Sequence, residues 1–242
     1  MTEPRQDQLV LTDLTLNSHF AEAYRALRTN ISFTSIDCEV KTILITSAAP
    51  KEGKTTTVIN LGIILAQNGP RVLIVDADFR RPSLHHLFGF IPNGRLSPPG
   101  LSNLIVGNAQ LPDVLMRSGF ARVSLIPAGT VPPNPNELLS SQRMKAVLAE
   151  LAAQADIVLI DTPPCLLYSD AFVVAPLTDG VLFVVRSGSH DRESQRRVQR
   201  HLQQAKARML GVVFNDAEVE DVDLSAYSHS PNGDGRKPGG RR

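Results

Sequence analysis

Ser47-Ala-Ala-Pro-Lys-Glu-Gly-Lys-Thr-Thr56 lies between the apolar run Thr42-Ile-Leu-Ile-Thr46 and the stretch Thr57-Val-Ile-Asn-Leu-Gly-Ile-Ile-Leu-Ala66. Strand, turn of small residues, Gly-Lys-Thr, then helix is the setting in which a phosphate-binding P-loop works. Such a turn aims successive backbone N–H groups and a helix N-terminus at one point, so a polyphosphate there meets donors, a favourable dipole and the Lys54 ammonium together. Pro50, Lys51, Glu52, Gly53, Lys54, Thr55 and Thr56 are therefore the candidate nucleotide-binding residues, with the Thr55 hydroxyl available to Mg2+. The alternative is a Gly-Lys-Thr in an ordinary surface turn; the strand before it and the helix after it argue for a nucleotide.

Outward from this stretch, the chain alternates strand and helix. Short apolar runs at Thr42–Thr46, Val72–Val75, Val123–Ile126, Ile157–Ile160, Val181–Val185 and Val212–Phe214 read as parallel strands covered on both faces. Helical spacing marks Ser18–Thr34, with Ser18 as cap and Phe20, Tyr24, Leu27 and Ile31 on one side, and recurs at Glu137–Ala153 and Asp191–Ala207. The alternation predicts a doubly wound, mostly parallel α/β sheet with its ligand site at the carboxyl ends of the strands. The organisation expected is an N-terminal arm over 1–17, one P-loop domain over 18–216 and a disordered tail over 217–242, whose Gly, Pro and Arg content cannot bury enough surface to fold. The Pro- and Gly-rich run from Ile91 to Pro99 reads as a surface excursion.

Composition removes several classes of function. At 242 residues and 42% hydrophobic content the chain suits one domain with a sizeable core. A formal net charge of +1 gives no reason to propose nucleic acid as partner. The opening Met-Thr-Glu-Pro-Arg-Gln-Asp7 lacks an apolar signal segment, and the longest apolar runs are about half the roughly 20 residues of a membrane span, so a cytoplasmic protein is expected. Cys38 and Cys165 lack metal-like spacing and read as structural or incidental thiols.

Three carboxylates sit at strand ends. In Arg71-Val-Leu-Ile-Val-Asp-Ala-Asp-Phe-Arg-Arg-Pro82, Asp76 and Asp78 are two apart and share a side if the strand runs that far; Asp161 closes Asp156-Ile-Val-Leu-Ile-Asp-Thr-Pro-Pro164. Carboxylates so placed repel one another and a triphosphate unless a cation such as Mg2+ lies between. Asp161 then reads as the Walker B carboxylate, while Asp76 and Asp78 hold metal or accept a proton from an attacking hydroxyl. The alternative is that each Asp caps the turn or helix that follows it.

The pairing of Ser47-Ala-Ala-Pro-Lys-Glu-Gly-Lys-Thr-Thr with Leu73-Ile-Val-Asp-Ala-Asp-Phe-Arg-Arg-Pro resembles Walker A and A′ of the bacterial tyrosine kinases of capsule and exopolysaccharide synthesis. Pro132-Pro-Asn-Pro-Asn-Glu-Leu-Leu-Ser-Ser141, Asp161-Thr-Pro-Pro and Gly211-Val-Val-Phe-Asn215 are similar to that family in the same order, and Glu22-Ala-Tyr-Arg-Ala-Leu-Arg28 resembles its Glu-x-x-Arg-x-x-Arg helix. The resemblance implies the short cytoplasmic kinase type, ATP and Mg2+ as cofactors, and tyrosine phosphotransfer. Lys54, Asp76 and Asp78 would be catalytic, Thr55, Asp78 and Asp161 would hold the metal, and Arg186 and Asn215 would border the adenine. Glu22, Arg25 and Arg28 would join subunits into a ring. It further implies a separate membrane-bound chain-length or export activator, tyrosine-containing protein substrates, and a place at the inner face of the membrane through that partner. Read from chemistry alone, Glu22, Arg25 and Arg28 equally suit a solvated helix face, and Asn215 a turn.

The chain departs from the family pattern at two places. Lys51 stands where the family has Gly, and a left-handed backbone there costs a side-chain-bearing residue about 1 kcal/mol. The usual tyrosine-rich end is missing: of the three tyrosines, Tyr227 alone lies in the tail and is the candidate acceptor, while Tyr24 and Tyr168 belong to patterned segments. Two other readings stay open, a Min/Par-like ATPase switch of the same P-loop ancestry and an ATP-binding regulatory remnant without phosphotransfer. Min/Par proteins carry a lysine five residues before the P-loop lysine; Ala49 stands there. Arg80 and Arg81 would meet phosphates or an acidic subunit neighbour, and His85 and His86 would belong to a short helix after Pro82.

Overall fold

A computed structural model describes residues 10–11, 16, 18–34, 39–89, 98–188 and 192–217. The expected tail beyond Ala217, with Tyr227, as well as Cys38 and most of the Ile91–Pro99 excursion, lie outside the described residues.

In chain order the elements are α1 (His19–Thr34), β1 (Thr42–Ser47), α2 (Lys54–Ala66), β2 (Val72–Asp76), α3 (Leu84–Leu87), α4 (Leu101–Val106), α5 (Leu111–Val114), β3 (Met116–Arg117), β4 (Val123–Ile126), α6 (Pro135–Leu139), α7 (Gln142–Gln154), β5 (Ile157–Asp161), α8 (Asp170–Val174), β6 (Gly180–Arg186), α9 (Arg192–Gln204) and β7 (Met209–Asn215). The sheet order is β3-β4-β2-β5-β1-β6-β7, parallel throughout except where β3 runs against β4. β1 therefore sits between β5 and β6, and β5 separates it from β2. This brings the ends of β1, β2 and β5, which carry the P-loop, Asp76 and Asp161, side by side.

The continuous apolar strands divide their side chains between two cores with period two. Ile43, Ile45, Ile74, Leu159, Leu182 and Val184 pack beneath α1 and α2. Leu44, Leu73, Val75, Val158, Ile160, Val181, Phe183 and Val185 pack against Leu104, Leu148, Val174, Val198 and Leu202 of α4, α7, α8 and α9. Most of α2 is buried, because α1 covers the side that does not face the sheet. Gly62 lets the helix approach closely, since a Cβ there would lie 2.8 Å from Cδ1 of Ile74.

The differences from the sequence expectation have local causes. The single helix expected over Glu137–Ala153 is two, because Ser141 interrupts it: its Oγ donates to the Leu138 carbonyl (2.7 Å) and accepts from Met144 N–H (3.1 Å), ending α6 and capping α7. Pro135 begins α6 earlier than expected, where a missing N–H costs nothing. α9 stops at Gln204, short of Ala207, where Lys206 turns left-handed with φ 62. β7 runs from Met209, three residues before the expected start, because β6 supplies a parallel ladder along it. Tyr24 is buried as expected, but Phe20 sits at the margin, 39% exposed and edge-on to the Tyr24 ring.

Candidate active site

The P-loop joins β1 to α2 with two residues in left-handed backbone, Lys51 (φ 63) and Gly53 (φ 92). The Gly53 conformation is free for glycine, whereas Lys51 adopts the strained geometry anticipated from its position. Buried Glu52 organises the turn: its carboxylate accepts from Ala49 N–H at 2.8 Å, and its carbonyl accepts from Asn215 Nδ2 at 3.1 Å. The loop is tied from below as well, Cys165 N–H donating to the Ser47 carbonyl (2.8 Å) and Leu166 N–H to that of Ala48 (3.1 Å). α2 begins at Lys54, so the N–H groups of Lys54, Thr55 and Thr56 have no carbonyl within the helix to bond and face the mouth of the loop.

Asp161 ends β5 directly beside Asp76, with which it is in register. Its Oδ2 accepts from the Thr55 hydroxyl at 2.7 Å, and its Oδ1 is buried with no hydrogen-bond partner. Burial pushes its carboxyl up to about 7 against the opposing pull of Lys54 and the Thr55 bond, with Asp78 adding to the rise. Asp76, fully buried, is raised as well, first by desolvation and then by the charges of Asp161 and Asp78. Two neighbouring buried carboxylates, one with an unpartnered oxygen, form a site that a cation relieves.

β2 stops at Asp76, so Asp76 and Asp78 do not project from one strand as the spacing suggested. Asp76 Oδ1 instead accepts from Asp78 N–H (3.1 Å), and its Oδ2 accepts from Ser83 and Leu84 N–H (3.2 Å each) at the start of α3. The capping alternative thus holds for Asp76, whose charge still faces Asp161. Asp78, partly buried, uses Oδ1 to accept from the N–H groups of Arg80 (3.0 Å) and Arg81 (2.9 Å); desolvation raises its carboxyl, while Arg81 N–H, Lys54 and Arg80 N–H lower it. Among the described residues no three His, Cys, Asp or Glu side chains gather into a ready metal cage. Mg2+ does not require such a cage, since it takes one or two protein oxygens and completes its shell with water and phosphate. Thr55 Oγ1 and the open oxygen of Asp161 fit that ion.

Other sequence candidates are placed less directly. Asn215 ends β7 against the P-loop, whereas Arg186, paired in register with it, turns outward to an exposed ion pair with Asp216 (2.8 Å). Arg25 is paired with Glu22 and also donates to the Leu16 carbonyl (2.6 Å), while Arg28 donates to the Ile64 carbonyl near the end of α2 (3.1 Å). The helix α1 trio is thus engaged within one chain. His85 and His86 lie in the expected short helix, and Cys165 is a buried thiol pushed by desolvation up to about 11. Sequence reasoning missed Asp170 and Asn136. Asp170 is completely buried and receives Arg80 through two bonds, Nε to Oδ2 at 2.9 Å and Nη2 to Oδ1 at 3.1 Å. The available signal was an Asp heading an otherwise apolar segment, Asp170-Ala-Phe-Val-Val174.

Comparison with known proteins agrees with this geometry. The family model described as an AAA domain matches residues 40–208. The tyrosine-protein kinase YwqD of Bacillus subtilis is 38% identical over 227 residues, covering 94% of this chain and 89% of YwqD. The crystal structure of the chimerical protein CapA2B2 superposes with a TM-score of 0.77 at 32% identity, covering 85% of this chain and 91% of that one. The septum site-determining protein MinD of Pyrococcus horikoshii, complexed with Mg-ADP, superposes with a TM-score of 0.60 at 25% identity over 72% of this chain and 69% of that one, which places the fold among the Min/Par-like P-loop NTPases. With its P-loop, its paired strand-end carboxylates and this likeness along nearly its whole length, the chain belongs to the bacterial tyrosine kinase family of capsule and exopolysaccharide type, an ATP-binding P-loop family of protein-tyrosine kinases.

Proposed function

We propose that this chain is an autokinase: it transfers the terminal phosphoryl group of ATP to tyrosine, on its own copies and on other proteins, and so regulates polysaccharide chain length or export with a separate membrane-bound activator. The observation that carries this reading is the Thr55–Asp161 bond of 2.7 Å beside the unpartnered, buried Asp161 Oδ1. Thr55 and Asp161 hold Mg2+, with Asp78 at the same mouth. When bound, Mg2+ neutralises charge on the triphosphate oxygens. The N–H groups at the start of α2 and the Lys54 ammonium cradle the phosphates, and Asp78, raised by burial, accepts the proton of an incoming phenol. Asp76 holds the turn that presents Asp78. Asn215 borders the adenine, with Arg186 at the rim.

Glu22, Arg25 and Arg28 join copies into a ring, Arg25 exchanging its internal partners for a neighbour's carboxylates. That a solved relative is a chimera, CapA2B2, supports a kinase that works with a second polypeptide. Among the described residues no helix is long and apolar enough to cross a membrane, in keeping with a cytoplasmic chain recruited to the membrane by that partner.

The test is phosphosite mapping by mass spectrometry of purified protein incubated with Mg-ATP, with and without the cytosolic segment of a candidate activator. Phosphotyrosine at Tyr227, absent in Asp78→Asn and after chelation of Mg2+, supports the reading. Turnover of ATP with no phosphotyrosine under either condition overturns it.

A further inference from the structure

We propose that Arg80 is a positioning residue for phosphotransfer: by clamping the buried Asp170 it locks the loop that carries Asp78 onto the loop that follows Asp161. The inference rests on the reading of Asp78 given above.

The contacts run without a gap across three segments of chain. Arg80 N–H donates to Asp78 Oδ1 at 3.0 Å, and the Arg80 guanidinium spans both oxygens of Asp170 at 2.9 and 3.1 Å. That guanidinium also lies over the Tyr168 ring, 4.6 Å from its centre. Asn136, in α6, donates through Nδ2 to Asp170 Oδ1 (3.3 Å) and to Ser169 Oγ (3.0 Å). Asp170 is 0% exposed and the Arg80 side chain 29%, so the carboxylate is anchored in the interior while the arginine bridges to the surface loop.

A clamp is needed there for an electrostatic reason. Asp76 and Asp161 stand side by side at the ends of adjacent strands, and Asp78 adds a third carboxylate. Holding them together without a cation costs free energy, as repulsion when they are ionised or as proton uptake when they are not, and that cost favours separation of the two loops. The backbone joins these loops below the site, where Ala77 N–H donates to the Asp161 carbonyl at 2.8 Å; Arg80 joins them at the rim. An arginine suits the task and a lysine does not, because the rigid fork fixes direction as well as distance and its flat face stacks on a ring. The geometry also separates the two neighbouring arginines. Arg80 is committed to the protein, which leaves exposed Arg81 as the one able to reach a phosphate or a substrate.

The experiment measures phosphoryl transfer by the full chain from Mg-ATP to a glutamate–tyrosine copolymer in Arg80→Lys, Asp170→Asn, the double variant and Asp78→Asn, with Mg-ADP affinity and thermal unfolding followed in parallel. Arg80→Lys and Asp170→Asn should each lower kcat by about tenfold or more, as misplacement of a reacting group does. KM for ATP and Mg-ADP affinity should stay within about twofold, and the double variant should be no worse than the poorer single one, because both changes open the same clamp. Normal kcat in Arg80→Lys, a loss lying wholly in KM, or losses that multiply would overturn the proposal. Should Asp170→Asn fail to fold, Arg80→Lys together with Tyr168→Leu, which removes the stacked ring and leaves both charges, decides it: kcat must fall in both at constant KM, and normal kcat in both sinks the clamp. Asp78→Asn separates the two readings. If it retains full activity the role of Asp78 is wrong; if it is inactive while Arg80→Lys is normal, the clamp alone is wrong.

Discussion

Asn215 and Gly53 are packed so tightly that a Cβ on Gly53 would stand 1.9 Å from Nδ2 of Asn215. The same Nδ2 donates to the Glu52 carbonyl at 3.1 Å, so the last strand of the sheet closes the P-loop from the side. Gly53 also has φ 92, a backbone angle that side chains rarely tolerate.

Gly53→Ala should therefore displace Asn215 and strain the turn together. Stability should drop by about 1–2 kcal/mol from the backbone alone, and Mg-ATP affinity measured by titration calorimetry should fall by about tenfold or more, since the loop N–H groups no longer converge. Asn215→Ala removes one hydrogen bond and no backbone constraint, so its cost in stability should be about 0.5–1.5 kcal/mol.

Lys51→Gly should act in the opposite direction on stability. The left-handed backbone at φ 63 is relieved, giving a gain of about 0.5–1 kcal/mol in denaturant unfolding of the nucleotide-free protein. Mg-ATP affinity should decline in the same variant, because a cation at the mouth of the loop is lost. Equal or tighter binding would show that Lys51 does not serve the phosphates.

Asp161 gives the nucleotide-free protein a pH dependence with a definite sign. Its folded carboxyl is raised to about 7, so between an ordinary value of about 4 and about 7 the folded state binds the proton more strongly than the unfolded state. Stability from this group is therefore full below about pH 4, declines as pH rises through that window and levels off above it. Asp76, raised by burial and by Asp161, adds a contribution of the same sign. Thermal unfolding from pH 4 to pH 8 should show the decline, Asp161→Asn should flatten it, and saturating Mg-ADP should reduce it by stabilising the ionised form. Phosphotransfer should be lost in Asp161→Asn at every pH.

Arg25→Ala with Arg28→Ala should reduce the mass seen in light scattering if α1 joins subunits, and an unaltered mass would assign these arginines to the monomer alone. The single change Arg28→Ala removes the bond to the Ile64 carbonyl, at a cost of about 0.5–1.5 kcal/mol in unfolding whatever the state of assembly.

Much of this protein was legible along the chain. The continuous apolar strands, the Gly-Lys-Thr turn and the strand-end Asp161 are local patterns, and they announced a doubly wound sheet with phosphate chemistry at one edge because strand period and turn chemistry act over a few residues. The break at Ser141 was less visible, since a serine interrupts a helix only when its hydroxyl finds backbone partners, here the Leu138 carbonyl and Met144 N–H.

What tertiary structure alone decided lies in contacts between distant positions. Whether Asp76 faced solvent, metal or backbone depended on where the chain turned after β2, and it turned onto Ser83 and Leu84. Nothing local to Arg80 points to Asp170, ninety residues away, nor anything local to Gly53 to Asn215. The physical reason is that secondary structure follows from forces along the backbone, whereas the ionisation, partners and reach of a site residue follow from what the finished fold places against it.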